Sequence, residues 1–288
     1  MFRLKPTSAA FAFTASFCRL LFLTVCHIFF APVSNAQGDL LITPKRVVLD
    51  GSKRSMDINL ANSGKDSATY VISFIQIRMT ENGSFETIET PDSAQLFAEP
   101  FLRIFPRQVT LGPSESQTVK VQVRRSNEMK EGEYRSHLYF RAVPRERPLG
   151  ESKGKGDSSI AVRLTPIYGI SIPVILKVGA SDARVELADV ALSIDKEKGP
   201  MTKIAIQRSG NMSVYGDLVV NHISNEGKIT KVGIARGFAV YTPNAVRKFD
   251  LVLDKAAPVN YNAGKLQVVY TDQSIKPVVL AQKEISLH

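Results

Sequence analysis

The run IAVRLTPIYGISIPVILKV, residues 160–178, decides how the chain is read. Val162, Leu164, Tyr168, Ile170, Ile172, Val174 and Leu176 share one parity, and Arg163, Thr165, Gly169, Ser171 and Lys177 fall on the other. Strict alternation of this kind marks a half-exposed β-strand. Pro166 and Pro173 lie inside the run. Proline has no N–H to give to a ladder, so the run reads as a long edge strand. A long apolar edge invites pairing with other chains and is normally blunted. Leaving it open makes sense where another chain is meant to pair with it. The two prolines are seven residues apart, an odd number, so in an unbroken strand their nitrogens point to opposite sides. Gly169, between them, is the expected bulge or break. That divides the run into Ser159–Thr165, the edge offered to another chain, and Ile170–Lys177, which completes the sheet of its own domain.

Working outward, the residues at the start of the chain place it outside the cytoplasm. Residues 1–36 carry Arg3, Lys5 and Arg19 with no acid, then the apolar stretch Leu20–Phe30, then A-P-V-S-N-A. Ser34 and Ala36 are the small residues a signal peptidase requires, so a secretory signal cleaved after Ala36 is expected. The apolar stretch falls short of the roughly 20 residues that span a bilayer, which argues against a stable membrane anchor. Cleavage of 36 of the 288 residues leaves 252 and lowers the formal charge from +10 to +7. Both cysteines, Cys18 and Cys26, leave with the signal. The exported chain therefore relies on its core and not on disulfides. Its mild, dispersed positive charge contains no basic block of the kind nucleic acid attracts.

The rest of the chain is a succession of short alternating runs broken by turn residues: 40–49 interrupted by Pro44, 56–60, 69–79, 85–88, 101–105, 108–111, 118–123 and 134–143. Asn82-Gly83 is a strong hairpin signal. No stretch has helical periodicity. Residues 145–159, rich in Gly, Ser and charge, read as a mobile loop within one domain, because cutting there would remove that domain's last strand. The rhythm resumes after Gly179–Asp182 with runs at 185–194, 202–207, 218–223, 229–235, 249–253, 265–270 and 278–285. The chain is thus expected to be all-β. Residues 37–179 form an immunoglobulin-like sandwich whose long last strand is 160–178, and residues 180–288 form a second, smaller one.

Chemistry is not advertised. His137, His222 and His288 are the histidines beyond the signal, and none stands at ligand spacing with other metal-binding residues. Neither a G-x-S-x-G elbow nor a cysteine nucleophile is present after residue 36. The segment S-K-G-K-G-D-S-S lacks the spacing of a phosphate loop. The expectation is a non-enzyme without metal or cofactor.

Several motifs in order carry a resemblance. T-P-K-R-V-V-L (43–49) and M-D-I-N-L-A-N-S-G (56–64) are followed by I-F-P-R-Q-V-T-L-G-P-S-E-S-Q-T-V-K-V (104–121), and Q-R-S-G-N-M-S-V-Y-G-D-L (207–218) lies in the second half. This series resembles the periplasmic fimbrial, or pilus-assembly, chaperones, of which the chain looks like a divergent member. The resemblance implies two immunoglobulin-like domains in an L and a periplasmic location. It implies capture of pilin-like surface-fibre subunits by donor-strand complementation, with an outer-membrane usher as a further partner. The donor residues it implies are Val162, Leu164, Tyr168 and Ile170. The cleft arginine that holds the subunit's terminal carboxylate falls on Arg46. The family's second cation, a lysine on the last strand, falls on Pro173, leaving Lys45, Arg163 and Lys177 as candidate helpers. A self-capping dimer is a further expectation. The competing readings are an exported immunoglobulin-like structural or adhesive module that donates no strand, and a secreted enzyme on a sandwich.

Overall fold

The structure, a computed structural model, describes residues 40–124, 129–144 and 167–287. Ten strands build the first part: β1 (Leu40–Thr43), β2 (Val47–Leu49), β3 (Ser55–Asn62), β4 (Ala68–Met79), β5 (Phe85–Ile88), β6 (Leu102–Phe105), β7 (Gln108–Leu111), β8 (Ser116–Val123), β9 (Gly132–Ala142) and β10 (Gly169–Val178). They form two sheets. One has the order β1-β3-β8-β6, and the other β2-β10-β9-β4-β5 with β7 also on β4. These are the A-B-E-D and G-F-C arrangements of an immunoglobulin sandwich. The corner entering β9 agrees: the Tyr134 hydroxyl donates to the Lys130 carbonyl at 3.1 Å and accepts from the Lys130 N–H at 2.9 Å. A tyrosine at the start of strand F bonded back to the backbone upstream is a hallmark of this fold.

The expected alternation decides which side chains enter the core. Ile58 and Leu60 on β3, Val119 and Val121 on β8, Leu138 and Phe140 on β9, and Ile172, Val174 and Leu176 on β10 are all buried together. The Ala-Asn-Ser-Gly turn forms around Asn62, which is buried. Its side-chain oxygen accepts from the Gly64 N–H at 2.9 Å, and its amide donates to the Leu111 and Gly112 carbonyls at 3.1 Å.

Two prolines mark places where the chain changes sheet. Residues 40–49 are not one interrupted strand. β1 pairs antiparallel with β3, whereas β2 pairs parallel with β10 in the opposite sheet. Pro44 lies at that crossover and Pro106 at the corresponding one between β6 and β7. The first crossover leaves Arg46 immediately before β2.

The decisive run is described only in part, and the described part differs from expectation in two respects. Residues 160–166, with Val162, Arg163 and Leu164, lie outside the described residues, as does the expected donor segment 159–165. β10 itself is an edge over only part of its length. β9 pairs all of Gly169–Val178, and β2 covers the other side at Val174–Leu176. Pro173 is accommodated because the β2 pairing begins one residue after it. Gly169 is no bulge, since the register with β9 runs without a shift from Gly169 to Val178. It opens the strand, and its missing side chain leaves room for the Tyr139 ring that would otherwise overlap a Cβ.

Seven further strands follow: β11 (Arg184–Asp195), β12 (Gly199–Ser209), β13 (Val214–Ile223), β14 (Ile229–Val240), β15 (Val246–Val252), β16 (Lys265–Asp272) and β17 (Val279–Ser286). Their sheets run β11-β12-β15 and β14-β13-β16-β17. Leu187, Ile206, Leu218, Val220, Val268 and Tyr270 fill the second core. Tyr270 is fully buried and keeps its hydroxyl satisfied by donating to the Phe238 carbonyl at 2.9 Å. The second set of strands therefore encloses a core separate from the first, and the chain crosses between the two over residues 179–183.

Candidate functional site

Strand β9 alternates between the first core and the opposite face of its sheet. Tyr134, Leu138 and Phe140 point inward. Glu133, Arg135 and His137 point the other way, where an antiparallel sheet commonly meets water. Here they are 3%, 2% and 5% exposed: the second sandwich meets Glu133 and Arg135, and the Phe85 ring of β5 lies edge-on to His137. An apolar cluster joins the two: Met79 and Ile175 from the first meet Ala239 and Tyr241 from the second, flanked by Val48 and Tyr215.

The polar groups around that cluster are unevenly satisfied. Glu133 accepts from the Ser213 N–H at 3.0 Å and from the Ser213 hydroxyl, and that hydroxyl in turn accepts from the Thr242 N–H at 3.0 Å. The Arg135 Nη2 donates to the Thr242 carbonyl at 3.3 Å, and its Cζ lies 4.2 Å from the centre of the Tyr241 ring. Arg135 Nε and Nη1 have no hydrogen-bond partner among the described residues. Desolvation moves the Arg135 pKa down and that of Tyr241 up. Burial, and then the neighbouring Arg135 charge, lower the His137 pKa to about 3, so its ring is neutral at ordinary pH.

Arg46 enters from the start of β2. Its Cζ stands 3.8 Å from the centre of the Tyr215 ring and 5.7 Å from that of Tyr241. Its Nε and Nη1 are buried without a hydrogen-bond partner among the described residues. A guanidinium with unused donors is suited to a carboxylate, which it can grip with two parallel bonds. The β2–β10 register, extended by one residue, sets Arg46 beside Pro173. The cation therefore marks the place where the open edge of β10 ends.

That edge is apolar. Ile167, Tyr168 and Ile170 are 50%, 50% and 37% exposed. The Tyr168 carbonyl accepts from the Ala142 N–H at 3.0 Å, so the chain is already aligned with β9 before β10 formally begins. Ile172, Val174 and Leu176 continue the parity but are core residues. Of the helper cations, Lys45 is exposed on the strand's other parity, Lys177 is half-buried in register with Glu133, and Arg163 is outside the described residues. The structure thus brings Arg46 to the end of the edge bearing Tyr168 and Ile170. It sets neither Lys45 nor Lys177 beside Pro173.

Arg135, Tyr215 and Tyr241 escaped the sequence reading. The alternation of β9 assigns Arg135 to the outer face, and outer-face charges read as solvated. Tyr215 lies within the quoted motif 207–218, but nothing local distinguishes a ring that meets another domain. Among the described residues no group of three His, Cys, Asp or Glu side chains converges.

No family model matches the sequence, and no curated relative does. Solved structures do resemble the fold. One is the CsuC–CsuE chaperone–tip adhesion subunit pre-assembly complex of the Csu pili of Acinetobacter baumannii, at 13% identity over 87% of this chain and 100% of that one, with a TM-score of 0.44. The class 5 fimbriae chaperone CfaA is similar at 13% identity over 86% and 99% of the respective chains, with a TM-score of 0.43. The Salmonella enterica SafA pilin complex with the SafB chaperone is similar at 11% over 86% and 96%, with a TM-score of 0.41.

Proposed function

We propose that the protein is an exported chaperone that captures an incomplete sandwich-like subunit of a surface fibre by lending it the free edge of its last first-domain strand. One juxtaposition carries the reading: an apolar, half-open edge ends beside a guanidinium whose donors are unused. Tyr168 and Ile170 fill gaps in the subunit's core, joined by Val162 and Leu164 from the segment that precedes them. Each such side chain withdrawn from water contributes roughly 1.5–3 kcal/mol before ordering costs. Arg46 binds the subunit's terminal carboxylate. The polarity follows, because a chain that ends at Arg46 and lies along Gly169–Pro173 runs in the same direction as β10. Residues 37–179 and 180–288 act as the two domains. The protein works in the periplasm after losing its signal, and it hands its cargo to an outer-membrane usher.

The test is co-expression with fibre subunits encoded nearby, followed by purification. Subunits recovered in complex, and degraded when the protein is withheld, are the expected result. Arg46→Ala is expected to abolish recovery while changing the thermal midpoint by no more than a few degrees, because the interactions removed are cation–π stacking of ~1 kcal/mol. Subunits that remain equally stable without the protein would favour the alternative, an adhesive module that donates no strand.

A further inference from the structure

The guanidinium of Arg46 is held by its face. Both rings it meets come from the second sandwich: Tyr215 stands on β13 and Tyr241 follows β14. A ring attracts a cation through its π-face, an arrangement that consumes none of the in-plane N–H donors of a guanidinium. Accordingly, Nε and Nη1 of Arg46 are enclosed yet make no hydrogen bond to any described residue. The second ring is itself backed. Arg135, 2% exposed and tied to the Thr242 carbonyl at 3.3 Å, stacks against Tyr241 at 4.2 Å. The acid beside Arg135, Glu133, is engaged by Ser213 and makes no ion pair with Arg46. Arg46 is therefore fixed in orientation without being neutralised.

We propose that Tyr215 is a positioning residue for carboxylate capture, stacking on the face of Arg46 so that the in-plane donors of the guanidinium stay unspent for the partner. The inference deepens the chaperone reading and rests on it. An arginine free to rotate loses side-chain entropy when it binds. Stacking removes that freedom beforehand, and the ring is what does so, not the phenol hydroxyl. The second sandwich is thus part of the anchor and not merely attached to it.

The experiment follows the Arg46 Nε–Hε resonance in isotope-labelled protein, identified by its loss in Arg46→Lys. Acetate is titrated at constant ionic strength, with acetamide as the uncharged control. A saturable shift with acetate alone is expected. Half-saturation should rise about fivefold in Tyr215→Leu and stay within about twofold of wild type in Tyr215→Phe. Tyr215→Met serves as a second ring-free variant if the leucine variant does not fold. Equal half-saturation in the wild type and the ring-free variants overturns the positioning role and leaves carboxylate binding at Arg46 intact. Absence of an acetate shift in the wild type overturns both.

Discussion

Glu133, Arg135 and His137 are consecutive outward residues of one strand, yet they live in different electrostatic circumstances. Glu133 has its charge matched by the Ser213 donors. Arg135 shares its charge with a ring and a carbonyl. His137 avoids charge altogether, and its pH dependence can be worked out by sign. Its folded pKa, about 3, lies below the ordinary 6.5. The unfolded chain therefore binds the proton first, and stability falls as pH drops below about 6.5 towards 3. The slope is at most ~1.4 kcal/mol per pH unit for one proton. His137→Gln should remove that slope, and denaturant titrations at several pH values should show the wild-type and variant curves converging as the medium becomes acidic. Parallel curves would mean that His137 does not titrate in this way. The sequence marks His137 as a structural histidine on a strand, but none of the three environments is legible there. Glu133 and Arg135 are met by a surface formed more than seventy residues later, from Ser213 onward, and His137 by the Phe85 ring of β5.

At the scale of the strand, β10 does two jobs along one parity. Tyr168 and Ile170 are exposed, whereas Ile172, Val174 and Leu176 are core. The substitutions should therefore divide. Ile170→Glu is expected to leave the unfolding midpoint within a few degrees of wild type while eliminating co-purification of a subunit. Val174→Ala, which opens a cavity in a fully buried site, should destabilise by about 1–3 kcal/mol in urea titration. Equal destabilisation by both would place Ile170 in the core and remove it from capture. The alternation over residues 170–176 was enough to mark this strand and its parity. The point where edge becomes interior was not legible, because it depends on β2, three residues whose parallel pairing with β10 leaves no local trace. The same holds for the crossover at Pro44: proline signalled an interruption, but the switch of sheet depends on which neighbours are free to pair.

For the whole molecule, hydrogen bonds join the sandwiches around one apolar cluster. Besides the Glu133–Ser213 bonds, the β4–β5 hairpin reaches across. The Asn244 amide donates to the Met79 carbonyl at 2.6 Å, and the Lys248 N–H donates to the Glu81 carbonyl at 2.7 Å. The Asn82-Gly83 turn, which the sequence marked as a hairpin, thus also serves as an interdomain contact. Glu133→Ala strips the Ser213 donors of their acceptor and leaves Arg135 without its nearest acid, a loss of about 3 kcal/mol or more. Calorimetry should show one cooperative transition in the wild type and two in Glu133→Ala, as the sandwiches melt separately. A single transition in the variant would show that the remaining contacts suffice. The two-sandwich organisation was readable because turn residues punctuate alternating runs throughout. Which faces meet was not, since surface residues on both sides look alike until they are brought together.

The parallel seat of β2 along the last part of β10 has a consequence for how any added strand is aligned. At Val174–Leu176 that side of the ladder is taken. The space left from Gly169 to Pro173 is about 16 Å long, at about 3.3 Å per residue, and is blind at one end. A guest chain can extend outward as far as its length permits, but not past that wall. Guests of different lengths are therefore all counted from the same residue, their last. A one-residue slip would turn every side chain of the guest to the wrong face. A closed end guards against that error without recognising a single side chain, and so leaves the sequence of the guest free to vary.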